Sequence, residues 1–106
     1  MKIGIVGLGL MGASLAKALK RYTSHTVLGL DLDPEVRASA KRDGAVDEVY
    51  ETPEFLRECA VSFICLFPVQ TVEFIKENLQ CFQRGSIVAD ICGVKSYVVN
   101  SLKDIP

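Results

Sequence analysis

The sequence has no excess of charge of either sign, a single histidine and no long apolar run. Its 12 basic residues face 13 acidic ones, so nothing favours binding to a nucleic-acid backbone or to an anionic membrane surface. No apolar stretch approaches the roughly 18 residues that a membrane-spanning helix needs. Residues 1–10 also lack the pattern of a secretory signal. We therefore expect a cytoplasmic protein with neither a nucleic-acid partner nor a membrane partner.

The sequence also lacks paired cysteines. Four cysteines occur, but none has C-x-x-C spacing, and Cys65 lies inside an apolar strand pattern. This predicts mostly buried thiols, with no disulfide bond and no metal site. The lone histidine, His25, precedes a predicted strand and so belongs at the amino end of the sheet. We expect it to be an ordinary surface residue.

What the sequence does contain is a glycine-rich turn between a strand pattern and a helical pattern. Residues 2–6 contain an apolar run with β-branched residues, and the helix that follows is predicted to bury Met11, Leu15, Ala18 and Leu19 on one face. In G-x-G-x-x-G spacing, the first glycine allows a sharp turn, the second lets a pyrophosphate approach the backbone, and the third lets the helix pack close to the strand. The predicted dinucleotide-binding residues of the turn are Gly7, Leu8, Gly9, Leu10, Met11 and Gly12.

An acidic residue ends the next predicted strand. Asp31 lies 19 residues after Gly12, where a carboxylate would accept the ribose hydroxyls of an adenosine. The same carboxylate would repel the 2'-phosphate of NADP, and Asp33 adds negative charge, although Arg37 could reach round from the second helix. The predicted cofactor is therefore NAD, with NADP less favoured.

The rest of the chain alternates strand and helix patterns over its 106 residues, which suits one domain. The fold class predicted is α/β: a Rossmann-type, doubly wound, mainly parallel sheet with helices on both faces. The second helix is expected to start after Asp33 as its N-cap, to run to about Asp43 and to stop at Gly44. The further elements expected are a short strand within 45–50, a helical turn capped by Thr52, a strand over 61–67, a helix burying Val69, Val72, Ile75 and Leu79, a strand over 87–90 and a helix from 95 or 96 to 102.

Four segments of the sequence resemble the cofactor domain of prephenate dehydrogenases, a family that includes arogenate dehydrogenases. They are Gly-Ile-Val-Gly-Leu-Gly-Leu-Met-Gly-Ala-Ser-Leu-Ala at 4–16, Gly-Leu-Asp at 29–31, Leu-Phe-Pro-Val at 66–69 and Asp-Ile-Cys-Gly-Val-Lys at 90–95. The first motif is shared by many dehydrogenases. The last, Asp-x-x-x-Val-Lys after a strand, is considerably more specific.

The resemblance implies an oxidative decarboxylation in tyrosine biosynthesis that acts on prephenate or arogenate. In the family, the catalytic histidine lies in a His-Pro motif downstream of the Val-Lys segment, and a helical domain completes the substrate pocket and dimerises. This chain ends at Pro106 before such a motif, so none of its residues is expected to be catalytic. We expect residues 1–106 to be an isolated NAD(P)-binding domain, inactive alone, from a homodimeric enzyme.

Further site residues are expected where the other strands end. Phe67, Pro68 and Val69 are predicted to line the nicotinamide side with Thr71 as a hydrogen-bond donor, although Phe67 and Val69 also suit a core. Cys92 belongs to the same predicted cofactor site. On the substrate side the resemblance points to Gly93, where many relatives carry a serine whose role cannot pass to glycine, and to Lys95, which equally suits a solvated position.

Two other interpretations of the sequence are open. The β-hydroxyacid dehydrogenases and pyrroline-carboxylate reductases have a similar Gly-x-Gly-x-Met-Gly turn, although the segment from Asp90 to Lys95 argues against them. A non-enzymatic NAD-sensing regulatory domain, of the kind attached to ion channels, uses the same fold at this length.

Overall fold

The computed structural model describes residues 1–90, in which strands and helices alternate. The predicted helix from 95 or 96 to 102 lies outside the described residues. None of the described helices has both the length and the apolar character needed to cross a bilayer. The strands are β1 (Lys2–Val6), β2 (Thr26–Leu30), β3 (Glu48–Tyr50), β4 (Val61–Ile64) and β5 (Ile87–Asp90); the helices are α1 (Leu10–Tyr22), α2 (Pro34–Arg42) and α3 (Pro68–Glu77), with short 3-10 helices at Pro53–Glu58 and Leu79–Cys81.

The five strands form one sheet in the order β3-β2-β1-β4-β5, and each described pairing is parallel. The chain moves outward from β1 to β3, returns to the middle as β4 and then moves outward on the other side. The direction therefore reverses between β1 and β4, where Ile3 pairs with Val61 and Val6 with Ile64. In doubly wound sheets, ligands bind beyond the carboxyl ends of the strands at this switch point.

Both faces of the sheet are covered, which confirms the predicted fold class. Alternate residues of a strand point to opposite faces, so β1 contributes to two separate cores. The first cluster packs α1 and α2 on one face and contains Ile3, Ile5, Leu8, Ala16, Val27, Ala40, Ala45 and Val46. The second cluster packs α3 and the 3-10 helix Pro53–Glu58 on the other face. It contains Val6, Leu28, Leu30, Phe55, Leu56, Cys59, Ile64 and Ile75.

The buried face of α1 differs from the predicted one. Met11 and Ala18 were expected inside but are exposed, whereas Gly12 and Ala16 are fully buried, with Leu15 and Leu19 beside them. The helix approaches the sheet so closely that only small side chains fit at the nearest positions. The prediction placed the largest apolar residues inward. Its helix is therefore rotated about the helix axis by part of a turn relative to the observed one.

The remaining differences concern element ends. The strand predicted over 61–67 ends at Ile64, and the helical turn after Thr52 is a 3-10 helix without a side-chain cap to the backbone from that threonine. In α3, Val72 and Ile75 are buried as predicted, but Val69 is exposed. Leu79, predicted on the same buried face, lies beyond the end of α3 in the second 3-10 helix and is exposed. The predicted cap of α2 is confirmed, because the Asp33 carboxylate accepts a hydrogen bond from the Glu35 N–H at 2.9 Å.

Candidate functional site: a dinucleotide cleft

The three glycines of the turn occupy three different steric situations. Gly7 has a φ of +91° and no room for a side chain, since a Cβ there would lie 2.6 Å from the Cys65 carbonyl oxygen. At Gly12 a Cβ would lie 1.8 Å from the Gly7 carbonyl oxygen, so this glycine allows α1 to start against the turn. At Gly9, by contrast, a Cβ would meet nothing within 4 Å. The turn therefore needs Gly7 and Gly12 for its own packing and leaves open space at Gly9.

The first turn of α1 faces this open space without a capping side chain. Gly9 is the N-cap residue, makes no side-chain hydrogen bond to the helix, and is followed by a first turn without acidic residues. The N–H groups at a helix start are unsatisfied within the helix and carry partial positive charge. This end of α1 therefore suits an anionic group such as a pyrophosphate.

Asp31 is bonded directly to the glycine turn. Its Oδ2 accepts a hydrogen bond from the Leu8 N–H at 2.9 Å, and its Oδ1 accepts one from the Asp33 N–H at 2.9 Å. These two bonds give Asp31 a structural role in addition to the ligand role predicted from the sequence. The bond from Leu8 therefore joins the turn and the acidic side chain into a single unit. Each carboxylate oxygen also keeps a further lone pair that can accept a hydrogen bond from a ligand hydroxyl.

Arg37 is held below this unit. Its Nη1 donates to the Asp31 backbone carbonyl at 2.7 Å, and its Nη2 lies 3.5 Å from Oε2 of Glu51. The Arg37 side chain is only 18% exposed. The sequence left open whether Arg37 could receive a 2'-phosphate, and in the structure its guanidinium group is engaged with the protein instead.

A cleft of about 470 Å³ lies at the switch point between β1 and β4, where the strand order reverses. A second cavity of about 330 Å³ continues past Asp31 and shares Gly7 and Leu66 with it. The first is lined by Gly7, Gly9, Leu10, Met11, Gly12, Asp31, Cys65, Leu66, Phe67, Pro68 and Gln70. The second is lined by Val6, Gly7, Leu30, Asp31, Leu32, Glu51, Pro53, Leu66, Phe74 and Asn78. Together they form one elongated site with Asp31 near its middle.

The residues after β4 are divided between the cleft and the interior. Phe67 and Pro68 line the cleft, and Phe67 is 77% exposed, so it does not belong to the core. Val69 is also exposed but does not line the cleft. Thr71 is fully buried and its hydroxyl donates to the Leu66 carbonyl at 3.2 Å, so its side chain does not face the cleft.

Other predicted residues are placed as follows. The Leu8 side chain is buried in the first cluster, so it contributes its backbone N–H to the site. His25 lies before β2, with Nδ1 3.1 Å from the N-terminal amine, and is remote from the cleft as expected. Cys92, Gly93 and Lys95 lie outside the described residues. Among residues 1–90 no cluster of His, Cys, Asp and Glu is arranged to hold a metal ion.

Several lining residues were missed by the sequence analysis. Cys65, Leu66 and Gln70 join the cleft because the chain leaves the sheet soon after Ile64 and crosses beneath the glycine turn. Glu51 and Pro53 reach the second cavity from the end of β3. The available signal was positional, since residues just past the carboxyl ends of neighbouring strands meet at one edge of the sheet.

The parallel sheet, the glycine turn and the strand-end aspartate define a dinucleotide-binding domain of the Rossmann type. A family model described as prephenate dehydrogenase, nucleotide-binding domain, matches residues 15–106. The chain belongs to this family. Of the three interpretations of the sequence, the match supports the dehydrogenase cofactor domain.

Individual relatives agree with the family match. The chain is 29% identical to a cyclohexadienyl dehydrogenase of Zymomonas mobilis over 108 residues, covering 96% of this chain and 36% of the relative. Arogenate dehydrogenase of Synechocystis superimposes with a TM-score of 0.82 at 28% identity, over 95% of this chain and 37% of that one. Prephenate dehydrogenase of A. aeolicus, crystallised with hydroxyphenyl propionate and NAD+, gives a TM-score of 0.83 at 23% identity, over 96% and 38%. The chain thus spans little more than a third of these relatives.

Proposed function

We propose that this chain binds NAD as the cofactor domain of a prephenate or arogenate dehydrogenase. The observation that carries the proposal is the Asp31 carboxylate, which is fixed to the glycine turn through the Leu8 N–H at 2.9 Å. The space left open at Gly9 lies in the same cleft. An acceptor for ribose hydroxyls therefore stands beside a place for a pyrophosphate, which is the arrangement that a dinucleotide requires.

The described residues fit the parts of NAD one by one. The backbone at Gly9 and the first N–H groups of α1 receive the pyrophosphate, and Asp31 accepts hydrogen bonds from the adenosine ribose. The second cavity, whose lining is mainly apolar and includes Leu32 and Phe74, would hold the adenine. Phe67 and Pro68, which line the first cleft, would border the nicotinamide. When bound, NAD accepts a hydride from the substrate.

The work of this chain in the family reaction is therefore binding and orientation. The glycine turn and Asp31 fix one half of the cofactor, and the segment at Phe67 and Pro68 limits where the other half can lie. Cys92 is proposed to complete the cofactor site, with Gly93 and Lys95 on the substrate side. These three assignments rest on the sequence resemblance.

We further propose that the substrate pocket and the catalytic histidine belong to another domain of a cytoplasmic, homodimeric enzyme in tyrosine biosynthesis. Two observations support the presence of another domain: the chain corresponds to 36–38% of its relatives, and apolar side chains are exposed beside the cleft. Leu10 is 91% exposed, Phe67 77% and Val69 54%. Leu10 and Phe67 line the same cleft, and exposed apolar side chains grouped in this way commonly mark a surface that another unit covers. Residues 1–106 alone are then expected to bind cofactor without dehydrogenase activity.

The test is calorimetric titration of the chain with NAD and NADP. We expect NAD to bind more tightly, and Asp31→Asn to weaken NAD binding about tenfold or more, because a charge-assisted hydrogen bond contributes roughly 1.5–3 kcal/mol. Glu48→Gln is the matched control, since this exposed acid pairs with Lys41 outside the cleft. If neither nucleotide binds at millimolar concentration, or if Asp31→Asn and Glu48→Gln behave alike, the proposed function is wrong.

A further inference from the structure

Arg37 is held beside the predicted ribose site, yet its charged group faces the protein. One guanidinium nitrogen donates to the Asp31 carbonyl at 2.7 Å, and the other lies 3.5 Å from the Glu51 carboxylate. The Arg37 side chain is 18% exposed and that of Glu51 is 72% exposed. Glu51 therefore holds Arg37 from the solvent side, against the backbone that carries Asp31.

The surroundings of Asp31 are unfavourable to a second phosphate for a related reason. Glu51 lines the same cavity as Asp31 and Leu32, so two carboxylates border the place that a 2'-phosphate would occupy. The start of α2, which could otherwise donate N–H groups to a phosphate, is capped by Asp33 through the Glu35 N–H. A phosphate there meets negative charge on several sides, while the nearby positive charge is engaged elsewhere.

We propose that Glu51 is a second determinant of the choice between NAD and NADP, beside Asp31. It acts by holding Arg37 against the Asp31 carbonyl and by placing a carboxylate at the ribose end of the cavity. This inference rests on the proposed function, since it concerns the specificity of the same site. Glu51 follows β3 and is far from Asp31 in sequence. The parallel pairing of β2 with β3 brings the two residues to the same end of the sheet.

The experiment compares Glu51→Ala with Glu48→Ala in the 106-residue chain. Both residues are exposed acids paired with a basic residue of α2, but Glu48 does not line either cavity. The Kd values of NAD and NADP are measured by calorimetry, with competition for the weaker ligand. We expect Glu51→Ala to improve NADP binding relative to NAD by about threefold to tenfold at low salt, and by less at high salt. Glu48→Ala should leave the ratio unchanged.

A third variant separates the two parts of the mechanism. Glu51→Ala frees the Arg37 guanidinium from its ion pair, but the double variant Glu51→Ala/Arg37→Gln has no such group. Most of the gain in NADP binding should therefore be lost in the double variant. Circular dichroism verifies that the double variant is folded. A gain that survives the loss of Arg37 overturns the holding role. A Glu51→Ala ratio equal to wild type, or NADP binding that stays undetectable, overturns the inference while NAD binding still supports the proposed function. Absence of all nucleotide binding by the unmodified chain overturns both.

Discussion

At the scale of single residues, Gly9 and Gly12 separate what the turn needs for folding from what it needs for binding. Gly12→Ala places a Cβ 1.8 Å from the Gly7 carbonyl oxygen, so the start of α1 must shift. Gly9→Ala meets no atom within 4 Å, and the φ of Gly9 is −67°, which any residue adopts. We expect Gly12→Ala to lower the free energy of unfolding by several kcal/mol, on the order of other overpacked sites. Gly9→Ala should leave it within about 1 kcal/mol.

The two variants should rank differently when nucleotide binding is measured. A methyl group at Gly9 enters the space proposed for the pyrophosphate, so NAD affinity should fall at least about tenfold although the fold is intact. Urea unfolding and calorimetric titration of both variants provide the comparison. A Gly9→Ala protein that binds NAD normally would remove this glycine from the proposed phosphate site.

The sequence revealed the glycine positions but only part of the chemistry of Asp31. Spacing alone indicated a carboxylate at the end of β2, because the turn motif and strand length fix its place. The hydrogen bond from Leu8 and the contacts of Arg37 with Asp31 and Glu51 depend on the packing of three separate elements. No periodicity in the sequence carries that information, so these features required the structure.

At the scale of elements, the two predicted N-caps differ in what their side chains do. Asp33 accepts the Glu35 N–H at 2.9 Å, whereas Thr52 makes no side-chain bond to the backbone of the helix it precedes. Instead, Thr52 hydrogen-bonds the Glu54 side chain, which lowers the pKa of that carboxyl. We expect Asp33→Ala to cost about 1 kcal/mol of stability and Thr52→Ala less than about half of that.

Urea unfolding of the two alanine variants tests this difference. Equal losses of stability would mean that the Asp33 bond is not a working cap. The loss in Asp33→Ala should also exceed that in Asp43→Ala, since the only ion pair of Asp43 among the described residues is a 3.9 Å contact with its exposed neighbour Arg42. All three variants keep the apolar clusters intact, so their differences report local hydrogen bonding and charge.

The helix errors show where a sequence pattern stops being informative. The pattern correctly identified α1 and α3 and placed Val72 and Ile75 of α3 inside, but it misjudged which way α1 faces, because Gly12 and Ala16 allow closer approach than larger residues would. In α3, Thr71 is buried and bonded to the Leu66 carbonyl while Val69 is exposed. Hydrophobicity ranks these two residues in the opposite order, and a local hydrogen bond decides the outcome.

At the scale of the whole molecule, Cys59 links folding to alkaline pH. Burial raises its pKa from 9.0 to about 11, since the thiolate would lie in the second cluster. Between these values an unfolded chain releases the proton while the folded chain keeps it, so stability falls as pH rises. By pH 10 the loss from this group should be about 1 kcal/mol. Below about pH 8 it should be negligible.

The measurement is the free energy of unfolding from pH 8 to pH 11 for wild type, Cys59→Ala and Cys81→Ala. Cys59→Ala is less stable at every pH because of the cavity, so the slope rather than the absolute value is compared. Wild type and Cys81→Ala should share the steeper decline. Parallel curves for wild type and Cys59→Ala would show that this thiol does not control alkaline stability.

The position of the cleft over the reversal in the sheet has a mechanical consequence. The wing made of β1, β2 and β3 supplies the glycine turn and Asp31, and the wing made of β4 and β5 supplies the segment from Cys65 to Gln70. In the sheet itself these wings are joined by the four residue pairs of β1 with β4. A dinucleotide bound across the boundary between β1 and β4 would contact both wings and link them to each other. Cofactor binding should therefore make the two wings unfold together rather than separately. Hydrogen exchange of backbone amides far from any ligand atom should then become slower.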